Sequence, residues 1–231
     1  MNIKKQIYLI CIFSILYTFK ANAQFSLGFD AGITYNKLDY ETNNDNLTLQ
    51  KQNGYMASIV VSYRLNKWFS VDAAPGIMQK NYAINNTNGI YQQTNNSYLQ
   101  LPLSLKYSLK IIKRLKASAA VGGYYAYWMS SNVTGIAPNV FELSNNANGN
   151  EVVKLQSIDY AYQFNETKDN RSEFGWTGQI ALDYKIMKNL SVLMRGHFYQ
   201  SISDQQKKIT ELQTPRYNQT IAATAGLIYD F

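Results

Sequence analysis

The stretch ATAGLIYDF, residues 223–231, alternates between apolar and small or polar side chains up to the last residue of the sequence. One face would carry Ala223, Ala225, Leu227, Tyr229 and Phe231, and the other Thr224, Gly226, Ile228 and Asp230. Side chains of a β-strand point alternately to opposite faces, so the pattern predicts a strand. Such a strand needs a pairing partner, and a closed barrel supplies one by joining the last strand to the first.

Seven further stretches show the same period of two. They are FSLGFDAGITYN (25–36), YMASIVVSYRL (55–65), WFSVDAAPGIMQK (68–80), YLQLPLSLKYSL (98–109), LKASAAVGGYYAYWM (115–129), EFGWTGQIALDYKI (173–186) and LSVLMRGHFYQS (190–201). With the last stretch, residues 216–231, they make eight predicted strands. Pro75 and Pro102 have no backbone N–H to donate, so we expect a bulge or break at each.

The predicted connections alternate between short and long. Residues 66–67, 110–114 and 187–189 form short turns, whereas the other connections are long and polar, namely 37–53, 81–97, 130–172 and 202–215. Short turns at one end and long loops at the other are typical of outer-membrane barrels. The sequence therefore predicts an all-β fold, an eight-stranded antiparallel up-and-down transmembrane β-barrel, over residues 24–231.

Aromatic residues separate this prediction from a soluble, lipocalin-like barrel, in which apolar side chains point inward. On the apolar faces, one group of aromatics lies near the short turns: Phe25, Tyr63, Phe69, Tyr107, Tyr184, Tyr229 and Phe231. A second group lies near the long loops: Tyr35, Tyr55, Tyr127, Trp176, Phe198 and Tyr217. Two aromatic girdles around an aliphatic band are what two membrane interfaces require.

The amino terminus predicts export. Two lysines in MNIKKQ precede the apolar run 7–19, and Ala21 and Ala23 form an A-x-A site, so we expect a signal peptide over residues 1–23, cleaved after Ala23. The run is too short for a membrane-spanning helix. The single cysteine, Cys11, lies within this signal, which excludes disulfides and thiolate sites from the mature chain.

Charge gives no indication of nucleic-acid binding. Loss of Lys4, Lys5 and Lys20 with the signal peptide would lower the formal charge from +7 to +4, and no basic run remains. We therefore expect outer-membrane lipid, and not nucleic acid, as the chain's surroundings.

Three stretches resemble a known family: YLQLPLSLKY (98–107), GGYYAYWMS (122–130) and FGWTGQIALDYKIMKNLSVLMRGHFYQSISD (174–204). With them, the chain is similar over most of residues 24–231 to small outer-membrane β-barrel proteins often labelled PorT-like or porin-like. The resemblance implies the outer membrane of a diderm bacterium, and in some members a role beside a protein-secretion apparatus. Tyr229 and Phe231 also resemble the terminal aromatic signal that the outer-membrane assembly machinery recognises.

Charged residues on the predicted inward faces form a candidate site. They are Asp30, Arg64, Asp72, Lys106, Lys116, Asp183, Lys185 and Arg195, all in the half of the barrel near the short turns. An eight-stranded barrel leaves an interior that side chains can fill. Because isolated buried charges are very costly, we interpret these residues as a salt-bridged network that closes the lumen.

His197, the only histidine, is the one candidate for a catalytic base. Its same-face neighbours along the strand are Arg195 and Tyr199, neither of which is a nucleophile of the Ser–His type. We interpret His197 as a lumenal hydrogen-bonding residue and expect no enzyme activity, metal or cofactor. A narrow channel for small solutes and an outer-membrane lipid-modifying enzyme remain as alternatives.

The loop from Ser130 to Ser172 is the predicted functional segment. It combines an Asn-rich centre, SNNANGN (144–150), with apolar and aromatic residues on both sides. The alternation of Val153 and Leu155 with polar neighbours suggests strands beyond the membrane, which could bind a protein partner by edge addition. A loop that only covers the barrel mouth is the alternative.

Overall fold

The computed structural model describes residues 24–40, 47–86, 89–145, 151–210 and 213–231. The predicted signal peptide lies outside the described residues, and so does a part of each predicted long loop. No helix in the described part of the chain is long and apolar enough to cross a membrane.

The described residues form eleven strands. They are β1 (Phe25–Asp39), β2 (Leu47–Arg64), β3 (Phe69–Ala73), β4 (Gly76–Gln79), β5 (Tyr82–Asn86), β6 (Tyr91–Ile112), β7 (Leu115–Asn145), β8 (Glu151–Ala161), β9 (Ser172–Lys185), β10 (Leu190–Ser201) and β11 (Tyr217–Asp230). All pairings between them are antiparallel.

These strands close into a ring of eight positions. β3, β4 and β5 share one position between β2 and β6, and β8 lies outside the ring, paired only with β7. The ring closes where β11 pairs with β1, from Ser26↔Asp230 to Asp39↔Tyr217, and the N–H of Phe231 donates to the carbonyl of Phe25. The predicted all-β, eight-stranded antiparallel barrel is confirmed.

The third position of the ring is interrupted at Pro75, as predicted. β3 ends at Ala73 and β4 begins at Gly76. At Pro102, β6 keeps its register with β7, but its pairing with the third position breaks between Leu103 and Gln100, which is the predicted local break. The carbonyl of Pro102 accepts the N–H of Ala74, so the edge of Pro102 that lacks a donor faces the gap between β3 and β4. One interruption therefore accommodates both prolines.

Three of the predicted long loops are mostly strand. β1 and β2 enter residues 37–53, β5 and β6 occupy most of 81–97, and β7 and β8 enter 130–172. Period-two alternation is clearest where one face of a strand meets an apolar environment and the other does not. Residues 91–97 of β6 are polar on both faces, so this strand continues there without the pattern. Only 202–215 lacks strands within its described residues.

The barrel is polar inside and apolar outside. Asp30, Thr34 and Thr220 are at most 1% exposed, whereas Ile33, Val121 and Ile180 on the outer wall are 66–70% exposed. The girdle residues also face outward and contact one another across strands, with ring centroids 4.8 Å apart for Phe25–Tyr63 and 5.0 Å for Trp176–Phe198. A soluble barrel would have apolar side chains inside and polar ones outside, so the apolar outer wall of this barrel indicates contact with lipid.

Candidate functional site

The middle of the lumen is filled by a group of charged side chains around Asp30. Ser58 Oγ donates to Asp30 Oδ1, and Thr224 Oγ1 donates to Asp30 Oδ2 over 3.0 Å. Arg195 Nη1 lies 3.7 Å from Asp30 Oδ2. Asp30 and Arg195 are buried, so the guanidinium balances the charge of a carboxylate that water does not reach.

A second buried ion pair lies closer to the short turns. Lys106 Nζ is 2.7 Å from Asp72 Oδ2, and Ser62 Oγ donates to Asp72 Oδ1 over 2.6 Å. Both charged side chains are less than a tenth exposed. Four of the eight predicted network residues therefore lie in the lumen. They form two separate ion pairs, Asp30–Arg195 and Asp72–Lys106.

The other four predicted residues lie at the short-turn mouth. Arg64 Nη2 is 3.9 Å from Asp230 Oδ1, with both side chains partly exposed. Lys116 is exposed and stands opposite Asp183 in the β7–β9 register, while Lys185 is half-buried at the end of β9. Lys116 lies on the inward face of β7 at the mouth, where it lines the same cavity as Lys106 and Asp183 and still meets solvent.

A third buried pair was not anticipated from the sequence. Lys80 Nζ bonds Glu173 Oε1, and Glu173 also accepts from Tyr124 (2.7 Å) and Asn218 (2.6 Å). Lys80 Nζ lies 4.9 Å and 4.7 Å from the ring centres of Tyr98 and Tyr124. Lys80 and Glu173 lie at the ends of predicted strands, where a charged side chain is expected to be exposed to solvent. In the sequence, the one indication of a buried pair is that Tyr98 and Tyr124 fall on the inward faces of neighbouring strands.

The comparisons with known proteins agree with this geometry. The model of the family described as outer membrane protein beta-barrel domain matches residues 20–206. The chain belongs to this family. It is therefore an outer-membrane β-barrel protein of a diderm bacterium, with its short turns on the periplasmic side and its extended strands outside.

One solved structure shares the fold, and others are similar to the chain. The outer membrane protease OmpT from Escherichia coli has a TM-score of 0.54 at 10% identity, over 90% of this chain and 97% of that one. The outer membrane protein OprG from Pseudomonas aeruginosa has a TM-score of 0.49 at 8% identity, over 90% of this chain and 96% of that one. No curated protein matches the sequence. At these identities the likeness extends to the fold alone.

His197 of this outer-membrane barrel lies within the lumen. Its Nε2 is 3.1 Å from Thr224 Oγ1 and 3.9 Å from Asp30 Oδ2, and its Nδ1 is 3.3 Å from the hydroxyl of Tyr199. The hydroxyl of Thr224 already donates to Asp30. The cavity beside His197 has a volume of about 10 Å³, the lower limit for one water molecule. This geometry provides hydrogen bonding but no room for a substrate.

Metal ligands are not grouped in this part of the barrel or elsewhere in the described chain. Among the described residues, no three His, Cys, Asp or Glu side chains lie close enough together to hold a metal ion. The carboxylates of the lumen are instead directed at Arg195, Lys106 and Lys80.

The outer mouth is covered by residues 162–171, 202–210 and 213–216. Trp128 lies between Tyr98 and Tyr162, with centroids 6.0 Å from each, and Gln205 Nε2 donates to the hydroxyl of Tyr98 over 3.0 Å. Tyr162 donates to Asp169, and burial together with this hydrogen bond raises the pKa of Tyr162 to about 12. Tyr162 therefore stays protonated at physiological pH and holds the cover in place.

The hairpin of β7 and β8 projects past this cover. Val133 of β7 is buried, whereas Phe141 is 93%, Leu143 59% and Leu155 44% exposed. Leu143 pairs with Val153 across the hairpin, and Lys154 bonds Glu142 over 2.9 Å. Predicted loop 130–172 thus divides into a cover over the mouth and a projecting hairpin.

Removal of the terminal aromatics should lower the amount of assembled barrel. Tyr229 and Phe231 contact each other edge to face at 5.2 Å on the outer wall, at the periplasmic interface. We expect the variant Tyr229→Asn/Phe231→Asn to give less heat-modifiable protein in outer-membrane fractions, since it loses interface anchors and the predicted assembly signal. The matched control is Tyr35→Asn/Tyr55→Asn at the outer girdle. Equal yields of the two variants would contradict a special role of the terminus.

Proposed function

We propose that this outer-membrane barrel is non-enzymatic and non-conducting, and that it binds another polypeptide through the projecting β7–β8 hairpin. The partner would add an extended segment to the free edge of β8. The resemblance to PorT-like proteins makes a component of a secretion apparatus one source of such a segment. The observation that carries the proposal is an eleven-residue strand, β8, whose only partner among the described strands is β7.

The edge of β8 has the chemistry that strand addition needs. Tyr162 N–H donates to Ser131, and the alternation of an antiparallel ladder then directs the N–H groups of Ala161, Asp159 and Ser157 away from β7. Exposed edge strands are usually protected by charges, proline or a cover. Here the described part of β8 carries Lys154 and Asp159 beside the exposed Val153, Leu155 and Tyr160. Such an edge favours pairing with another chain.

The lumen supports the non-conducting part of the proposal. Tyr98, Tyr199 and Lys80 are among the largest fully buried side chains, and they cross the interior together with the Asp30–Arg195 pair. We expect planar-bilayer recordings of the wild-type protein to show no steady conductance. Stable ion-selective channels would instead favour the alternative of a narrow pore for small solutes.

A proline on the free edge of β8 tests partner binding. Ser157→Pro removes one outward N–H and leaves the β7–β8 hydrogen bonds in place, so we expect assembly at the wild-type level. Proteins cross-linked to the tagged barrel in intact cells should be lost from Ser157→Pro and retained by Ser157→Ala. Replacement of residues 138–155 by a short Gly/Ser linker should remove them as well. The same partners recovered with both shortened and proline variants would place the binding surface elsewhere.

A further inference from the structure

The periplasmic mouth of the barrel contains a cavity with an unusual excess of positive charge. Its volume is about 320 Å³. Five basic side chains line it, Arg64, Lys67, Lys106, Lys110 and Lys116, whereas Asp183 and Asp230 are the acidic residues in its lining. We call this space the basic vestibule.

Of the two acids, Asp183 stands opposite Lys116 in the β7–β9 register, and Asp230 is engaged in other contacts. Asp230 accepts a hydrogen bond from Ser26 over 2.5 Å and lies 3.9 Å from Arg64. Lys106 is directed deeper, toward Asp72. Within the described residues, no carboxylate lies at ion-pair distance from Lys67, Lys110 or Lys116. The vestibule therefore keeps a net positive charge, with five basic side chains against two carboxylates.

Two of these lysines face each other. Lys110 of β6 and Lys116 of β7 are direct partners in the register of the two strands, and both line the vestibule. Like charges directly opposite in an antiparallel pair are destabilising. An anion held between them would turn this repulsion into two charge-assisted hydrogen bonds.

The remaining lining favours an oxyanion with several acceptor oxygens. Ser108 and Ser191 add hydroxyl donors, and Arg64 adds a planar guanidinium that can bind two oxygens of one phosphate. Trp68 and Phe69 form an apolar border on the side of the membrane interface. We propose that the basic vestibule binds a phosphate group, with Lys110 and Lys116 as its principal ligands. The group can come from free phosphate in the periplasm or from the head group of an inner-leaflet phospholipid.

Thermal unfolding of the full-length protein in a neutral detergent tests the proposal. Inorganic phosphate should raise the unfolding midpoint above that in chloride at equal ionic strength, by about 4 °C at ten times the dissociation constant. A second arm compares nanodiscs of phosphatidylcholine with nanodiscs that also contain phosphatidylglycerol. A shift in the first arm identifies free phosphate as a ligand, and a shift in the second identifies the anionic head group.

Two double variants separate the vestibule from general surface charge. Lys110→Gln/Lys116→Gln should lose the phosphate or phosphatidylglycerol shift, while in chloride it should unfold at the same or a higher temperature, because the repulsion is gone. Lys113→Gln/Lys188→Gln removes the same charge from exposed periplasmic turns outside the vestibule and should keep the shift. If the first variant fails to assemble, Lys110→Gln alone should halve the shift or more.

The proposal is overturned by any of three results. The first is the absence of a shift in the wild-type protein in both arms. The second is a shift that persists undiminished when Lys110 and Lys116 are neutralised. The third is an equal loss in the Lys113→Gln/Lys188→Gln control, which would indicate screening of the whole periplasmic face.

Discussion

Replacement of Asp30 by alanine should lower the free energy of unfolding by about 3–5 kcal/mol, one of the two largest effects that we expect in this protein. Asp30 is fully buried, and its carboxylate accepts hydrogen bonds from Ser58 and Thr224 beside the buried Arg195. Without the carboxylate, the guanidinium would remain in the lumen with no counter-charge. Urea unfolding in lipid or detergent, followed by the fluorescence of the three tryptophans, measures the change.

A control on the same strand distinguishes the buried pair from a generic loss of charge. Asp39 lies 3.6 Å from Lys37, and both side chains are about half exposed. Asp39→Ala should therefore change the free energy of unfolding by less than about 1 kcal/mol. The double variant Asp30→Leu/Arg195→Met should recover most of the stability lost by Asp30→Ala, because no unpaired charge remains. A double variant as unstable as Asp30→Ala would show that packing, and not charge, is responsible.

Replacement of Lys80 by methionine should have an effect of similar size, about 3–5 kcal/mol. It would leave Glu173 buried without its cation and would remove the contacts of Nζ with the rings of Tyr98 and Tyr124. Tyr98 also accepts from Gln205, so the cover over the outer mouth should loosen. We expect lower stability in urea and faster proteolysis within residues 202–215 of the folded barrel.

The exposed pair Lys154–Glu142 supplies the matched control for Lys80. Lys154→Met removes an ion pair of 2.9 Å whose side chains are more than half exposed, so its effect on the free energy of unfolding should be small. It should also leave proteolysis of residues 202–215 unchanged. Equal effects of the two substitutions would contradict a structural role for the buried Lys80–Glu173 pair.

Several properties of this protein could be predicted from its sequence alone. Alternation in residues 25–36 and 223–231 identifies strands and assigns a face to each side chain, because a wall between lipid and a polar lumen imposes a period of two. The same alternation, with the aromatic girdles, distinguishes a membrane barrel from a soluble one. Short turns such as residues 66–67 then determine which strands are neighbours and therefore the eight positions of the ring.

Other properties depend on the tertiary structure. β6 begins at Tyr91, seven residues before the predicted strand, because residues 91–97 are polar on both faces and carry no period of two. Partners in the lumen, such as Lys80 and Glu173, are separated by 93 residues and meet across the barrel axis, a contact that depends on the stagger of the whole ring. From the sequence, a charged residue at the end of a predicted strand is expected to be exposed to solvent. Closure of the ring buries Lys80 and Glu173, so the alternation of the sequence predicts the barrel wall, whereas the ion pairs inside the lumen follow only from the three-dimensional arrangement of the strands.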